Sequence, residues 1–217
     1  MIAIAFALEF ESAVFAAKHD RRLRVATWLL GAMGAGTAEM LAKKLAQTKP
    51  QLVISTGFAG GLQPGLTVGD LVLGVNYSDP ALAGQLQLGP RWHRGNVLTV
   101  PAIVEKGAEK RRLGEESGCL VADMETEHLA RVCSENQIPM ISLRCISDAL
   151  EDDMPVPAAV LLNPQTCRPD PLGLFRHLIT NPTSVVGFNA LLKNAKTAQN
   201  GIADGLGEVL PQLLRLV

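Results

Sequence analysis

The sequence predicts an α/β protein, a three-layer α/β/α sandwich around a central mixed sheet, on three observations. Seven short runs are apolar throughout instead of alternating, as in strands covered on both faces. Segments with apolar residues at helical spacing separate most of those runs. The 217 residues are 47% hydrophobic and 19% charged, enough for one sizeable core and short for two. A single domain over residues 1–217 follows.

The first strand falls on 2–8, IAIAFAL. This apolar start could pass for a signal peptide, but it has no basic residue and Glu9 and Glu11 interrupt it, so it is expected to stay in the fold. A helix over 10–18, a strand over 23–30, a helix over 37–46 and a strand over 52–56 follow. Strands over 71–75 and 97–100 precede a helix over 105–113 and a strand over 119–122. Leu129, Val132 and Cys133 then fall at helical spacing and set a helix over 126–135, before the strand over 140–147. From Asp170 onward the chain reads as helices broken by Pro171, Pro182, Gly201 and Pro211. No repeat, low-complexity tract or linker divides the chain.

A net charge of −1 offers no general attraction to nucleic acid or an anionic membrane. Two basic clusters, 18–24 and 106–112, are interrupted by acids or apolar residues and read as solvated surface. No run reaches bilayer length, so no stable membrane insertion is expected. Cys119, Cys133, Cys145 and Cys167 lack metal-type spacing, and three lie in apolar runs, which points to a reducing cytoplasm. Glu125 and His128 form one ExxH pair without a second, and the acidic run 148–153 lacks regular ligand spacing and reads as a solvated loop. Neither a metal nor an organic cofactor is expected.

Ligands of such sheets gather at the carboxyl ends of strands. Those ends carry Glu9 and Glu11, then Gly31, Gly34 and Gly36, then TGFAGGL at 56–62, then Asp123, Met124 and Glu125, and finally Asp148. Any one acid there could simply cap a helix. Acids and glycines at several ends at once indicate a site. GAMGAG at 31–36 does not make a dinucleotide turn, because no strand ending in an acid lies about twenty residues on.

TGFAGGL followed by VGDLVLG, then VADMETEHLARVC and SLRCISDALED, behind ALEFE, resemble the nucleoside phosphorylase and nucleosidase superfamily, with its phosphorylase/hydrolase-like fold. The order most resembles its adenine-releasing members, which cleave methylthioadenosine and S-adenosylhomocysteine. DMET and the tail PDPLGLFRHLITNPTSV resemble the subfamily associated with hopanoid biosynthesis, which acts on adenosylhopane.

The resemblance implies a nucleoside substrate, a homodimer and a set of roles. Glu125 would hold the ribose hydroxyls with Met124 against the sugar, and Asp123 would line the site or cap the helix. Asp148 would share or donate a proton at the purine N7, and Glu11, helped by Arg144, would activate water. Phe58, Ala59 and Gly60 would line the pocket, and Ile103 and Val104 would flank the purine. Glu127 is expected at the surface. Such a division suits an oxocarbenium-like transition state, which needs an acid for the leaving group and a carboxylate near the sugar.

Two features depart from the pattern. Phosphorolytic members carry Arg and Ser near TGFAGG, and the matching Ser55 and Phe58 do not copy a phosphate clamp, so water is favoured over phosphate. The segment 76–96, which in the family supplies base contacts and part of a dimer interface, is short. A phosphate-dependent phosphorylase and a binding protein without turnover are the competing expectations.

Overall fold

The computed structural model describes residues 1–18, 25–161 and 171–217. Cys167, most of the first basic cluster and the first two residues of the strand expected over 23–30 lie outside them. In chain order the elements are β1 (Ile2–Phe6), α1 (Glu9–Lys18), β2 (Val25–Leu29), α2 (Gly36–Gln47), β3 (Leu52–Gly61), β4 (Leu71–Gly74), α3 (Pro80–Gln85), β5 (Trp92–Gly95), β6 (Val97–Thr99), α4 (Gly107–Ser117), β7 (Val121–Asp123), α5 (Thr126–Glu135), β8 (Met140–Asp148), α6 (Ala158–Leu161), α7 (Pro171–Thr180) and α8 (Ser184–Leu216).

The eight strands form one mixed sheet with the order β2-β1-β3-β8-β4-β5. Strands β2, β1, β3 and β8 run parallel, β4 is antiparallel to β8, and β5 is parallel to β4. The long β3 changes neighbours along its length. Leu52 to Ser55 pair with β1, whereas Gly60 and Gly61 pair with β7, which carries β6 beside it.

Alternation along the strands sorts side chains into two layers. Ile2, Ile4, Phe6, Leu52, Ile54, Ile141 and Leu143 pack on one face with Val14 and Phe15 of α1 and the buried stripe of α8. Ala3, Ala5 and Val53 pack on the other with Leu41 and Leu45 of α2 and Leu129 and Val132 of α5. The three-layer sandwich is therefore present, with its core split by the sheet.

Three sequence expectations change. TGFAGG is not a loop after the third strand: β3 runs through it in register with Leu143 to Asp148 of β8, with an irregularity between Ala59 and Gly60. The short segment 76–96 folds into α3 and β5, and the Asp79 N–H bonds Met140 O at the start of β8, the end of the sheet away from Asp148. None of its residues reaches the cavity described below.

The C-terminal region is not broken at Gly201 or Pro211, because α8 continues through both. A Cβ on Gly201 would stand 2.5 Å from Cys145 Sγ, so this glycine lets the helix lie close on β8. Ile202, Leu206, Val209, Leu210 and Leu213 are buried there, and their packing holds the helix across the backbone donor missing at Pro211. Among the described residues, no helix is long and apolar enough to cross a membrane.

Candidate active site

A cavity of about 600 Å³ opens at the carboxyl ends of β1, β3, β7 and β8. It gathers Glu11, Phe58, Ala59, Gly60, Ile103, Val104, Asp123, Met124, Glu125 and Asp148, so the expected residues come together, Arg144 excepted. Glu127 is exposed, as expected.

Glu11 stands in the first turn of α1 and is buried. Its two carboxyl oxygens accept from the backbone N–H groups of Leu8 and Phe58, each at 3.0 Å. The carboxylate lies directly over β3: a Cβ on Gly57 would meet its Oε1 at 2.7 Å. Burial raises the Glu11 pKa above the usual carboxylate range, and the two amide bonds and the charge of Arg144 only partly oppose that.

Glu125 is half-buried and accepts from the Gly34 N–H at 2.8 Å. Gly34 has φ +54°, a left-handed backbone that favours glycine, so GAMGAG serves to aim an amide at this acid. Burial pushes the Glu125 carboxyl up to about 7, with the charges of Glu11 and Asp123 adding to it.

Asp123 and Arg144 support this pair from behind. Asp123 accepts from Arg144 Nε at 2.7 Å, from Thr99 Oγ1 at 2.9 Å and from the N–H and hydroxyl of Thr126 in the first turn of α5. Arg144 is 2% exposed, and its remaining nitrogens donate to Ser55 Oγ at 2.8 Å, Thr126 Oγ1 at 2.6 Å and Leu143 O at 2.9 Å. It does not line the cavity and reaches Glu11 by its field alone. One guanidinium tied to Asp123 leaves Glu11 and Glu125 without a direct cationic partner. A shared excess of negative charge follows.

Asp148 ends β8 and lines the same cavity, a quarter exposed. It accepts from Ser147 Oγ at 2.8 Å and forms an ion pair with Lys110. Gly60 makes room for it, since a Cβ there would lie 3.0 Å from Asp148 Oδ1. Lys110 was expected on the solvated surface with its basic neighbours but is fully buried. Its reversal has a geometric cause. Gly107 and Gly114 let α4 press on Leu150 O and Leu62 O, where Cβ atoms would come to 2.9 and 2.2 Å, and Lys110 shares their face.

The acidic run is an exposed loop at Glu151 and Asp153, as expected, but it is tied down by specific contacts. Lys110 Nζ donates to Ala149 O and Asp152 O, Asp153 takes the Gly107 N–H and Lys106, and Glu151 pairs with Arg111. These contacts clasp residues 148–153 to α4. Among the described residues, no group of three or more His, Cys, Asp or Glu side chains could hold a metal ion.

Beyond the acids the cavity is apolar. Phe58 stacks edge-on against Phe10, with ring centroids 5.1 Å apart. Met154, Leu174, Phe188 and Leu191, contributed by the 154–158 segment, α7 and the start of α8, continue the wall. Gly187 allows this approach, because a Cβ would stand 2.4 Å from Pro155. Sequence reasoning missed these wall residues, Ser147 and Lys110. Helix periodicity alone does not say which apolar stripe faces a cavity; for Lys110 the spacing of Gly107, Lys110 and Gly114 on one helix face was the available signal.

A family model described as "Phosphorylase superfamily" matches residues 11–79 and 75–179. Among curated proteins, 5′-methylthioadenosine/S-adenosylhomocysteine nucleosidase of Glaesserella parasuis serovar 5 is 29% identical over 138 residues, 49% of this chain and 60% of that protein. The protein of the same name from Actinobacillus succinogenes is 32% identical over 133 residues, 46% and 57% respectively. The matches thus span less than two thirds of those relatives. Among solved structures, the nucleosidase of that name from S. pneumoniae with the transition-state inhibitor MT-ImmA gives a TM-score of 0.64 at 16% identity, covering 96% of this chain and 99% of the other. Futalosine hydrolase of Helicobacter pylori gives 0.59 at 17%, covering 95% and 97%. At these identities the likeness establishes a shared fold.

Proposed function

The chain belongs to the phosphorylase superfamily, and on that premise we propose that it is an N-ribosyl hydrolase releasing adenine from a 5′-substituted adenosine. The observation that carries this reading is the placement of Glu11, Glu125 and Asp148 around one cavity, on different strand ends.

Each carboxyl has a task that fits its surroundings. Glu125, in its charged form, accepts hydrogen bonds from the ribose hydroxyls, with Met124 beside the sugar. Glu11 takes a proton from water, and the burial that raises its pKa makes it a stronger base than a solvated carboxylate. The water oxygen adds to C1′ as the bond to the base breaks, the bonding electrons pass to the base, and Asp148 delivers the proton at N7. Arg144 and Asp123 position Glu125 through the start of α5 and temper the charge on Glu11.

Water is favoured over phosphate because no free cation faces the sugar side among the described residues. Ser55 Oγ is occupied by Arg144, and Phe58 turns an aromatic ring to the cavity. The apolar wall of Phe10, Phe58, Met154, Phe188 and Leu191 supports an uncharged 5′ group, from methylthio up to a hydrocarbon such as the hopane chain of adenosylhopane. We further place the protein in the cytoplasm as a homodimer; its free, buried Cys119, Cys133 and Cys145 suit a reducing compartment, and family resemblance suggests the dimer.

Adenine release from methylthioadenosine, S-adenosylhomocysteine and an adenosine with a long 5′-alkyl chain tests the reading. Release should rise with the apolarity of the 5′ group and fall by about 10²–10³ in Asp148→Asn. Binding of all three nucleosides without release would contradict it.

A further inference from the structure

We infer that Lys110 is a positioning residue of the reaction, holding Asp148 toward the leaving base and refilling it with the proton that the base carries away. The inference rests on the nucleosidase reading. It concerns a side chain that the acid, base and sugar-binding roles leave unused.

The geometry singles this lysine out. Lys110 is fully buried, a costly place for an ammonium unless its donors are satisfied. Its three partners are Asp148 at the end of β8 and Ala149 O and Asp152 O in the turn that follows. Lys106, at the N-terminus of the same helix, finds an exposed partner instead, Asp153. Lys110 also borders the cavity beside Asp148, while Ser147 Oγ fixes the other carboxyl oxygen. The carboxyl can therefore turn neither into the turn nor away from the cavity.

Proton balance gives the pairing its use. When C1′ separates from the base, the bonding pair goes to the purine and N7 takes a proton from the carboxyl of Asp148. An Asp148 that is ion-paired in the resting site takes that proton from the Lys110 ammonium across their ion pair. Lys110 is left neutral, Glu11 holds the proton of the attacking water, and exchange with solvent after release restores both. The sum is nucleoside plus water giving adenine plus the free sugar.

A lysine that merely braces the turn would affect every substrate equally; one that serves Asp148 would matter only for a base that needs a proton. The test compares wild type, Lys110→Met, Asp148→Asn and the double variant on methylthioadenosine and on p-nitrophenyl riboside, whose phenolate leaves unprotonated. Lys110→Met and Asp148→Asn should each lower kcat for adenine release by about 10²–10³, and the double variant should lose no more than either alone. Nitrophenolate release should stay within about threefold in all three. The double variant, lacking an unpaired buried charge, keeps the comparison available if Lys110→Met folds poorly. Multiplying losses on methylthioadenosine, equal losses on both substrates, or an unaffected Lys110→Met would overturn the inference. A wild type that releases adenine from nothing would instead overturn the nucleosidase reading.

Discussion

Glu125 carries a carboxyl that burial pushes up to about 7, and the sugar-binding role proposed for it requires its charged form. The acid binds protons more tightly folded than unfolded, so its contribution to stability is present at pH 4 and is lost as pH rises from about 4.5 toward 7. Glu125→Gln should therefore stabilise the protein at pH 7.5 by roughly 1–3 kcal/mol in denaturant melts while abolishing turnover. For the wild type, kcat/KM should fall as pH drops below about 7, with raised Glu11 acting in the same direction, because both groups work ionised. A flat profile from pH 5.5 to 8 would show that neither does. Gly57 offers a sharper steric test. Gly57→Ala places a methyl 2.7 Å from Glu11 Oε1 and should lower kcat about 10–100-fold with little change in KM.

Elements show how far the sequence reached and where it stopped. The uninterrupted apolar runs identified the central strands, and Asp123 and Glu125 beside Met124 were legible because their company at other strand ends outweighed simple capping. Gly201 and Pro211 were misread as breaks because local propensity ignores what a helix packs against. A 33-residue helix with nine buried residues outweighs the loss of one backbone donor. Two glycines of that helix separate the effects. Gly207, with nothing within 4 Å of a Cβ, should tolerate alanine with a gain of about 0.5–1 kcal/mol, whereas Gly201→Ala should cost about 1–3 kcal/mol through overpacking on Cys145. Equal melting shifts for both would refute the close-packing explanation. Lys110 was missed for the same kind of reason: its position on a small-residue face of α4 matters only once β8 and its following turn are known to lie beneath it.

At the scale of the whole molecule, parallel β1 and β8 bring Glu11 and Asp148 to one end of the sheet, β7, antiparallel to the end of β3, brings Glu125 to the same cavity, and α8 with α7 closes an apolar wall around them. Glu11, Asp123 and Glu125 make one side of that cavity acidic, and among the described residues the guanidinium beside them, Arg144, is turned inward to Asp123, Ser55 and Thr126. An anionic nucleophile would meet repulsion there, whereas a neutral water would not. The most direct measurement is adenine release from methylthioadenosine in phosphate-free buffer at pH 7.5, repeated with added phosphate while the sugar product is identified. Full activity without phosphate, and free methylthioribose as the sugar in both cases, is the predicted result; activity that appears only with phosphate and yields a sugar 1-phosphate would contradict it.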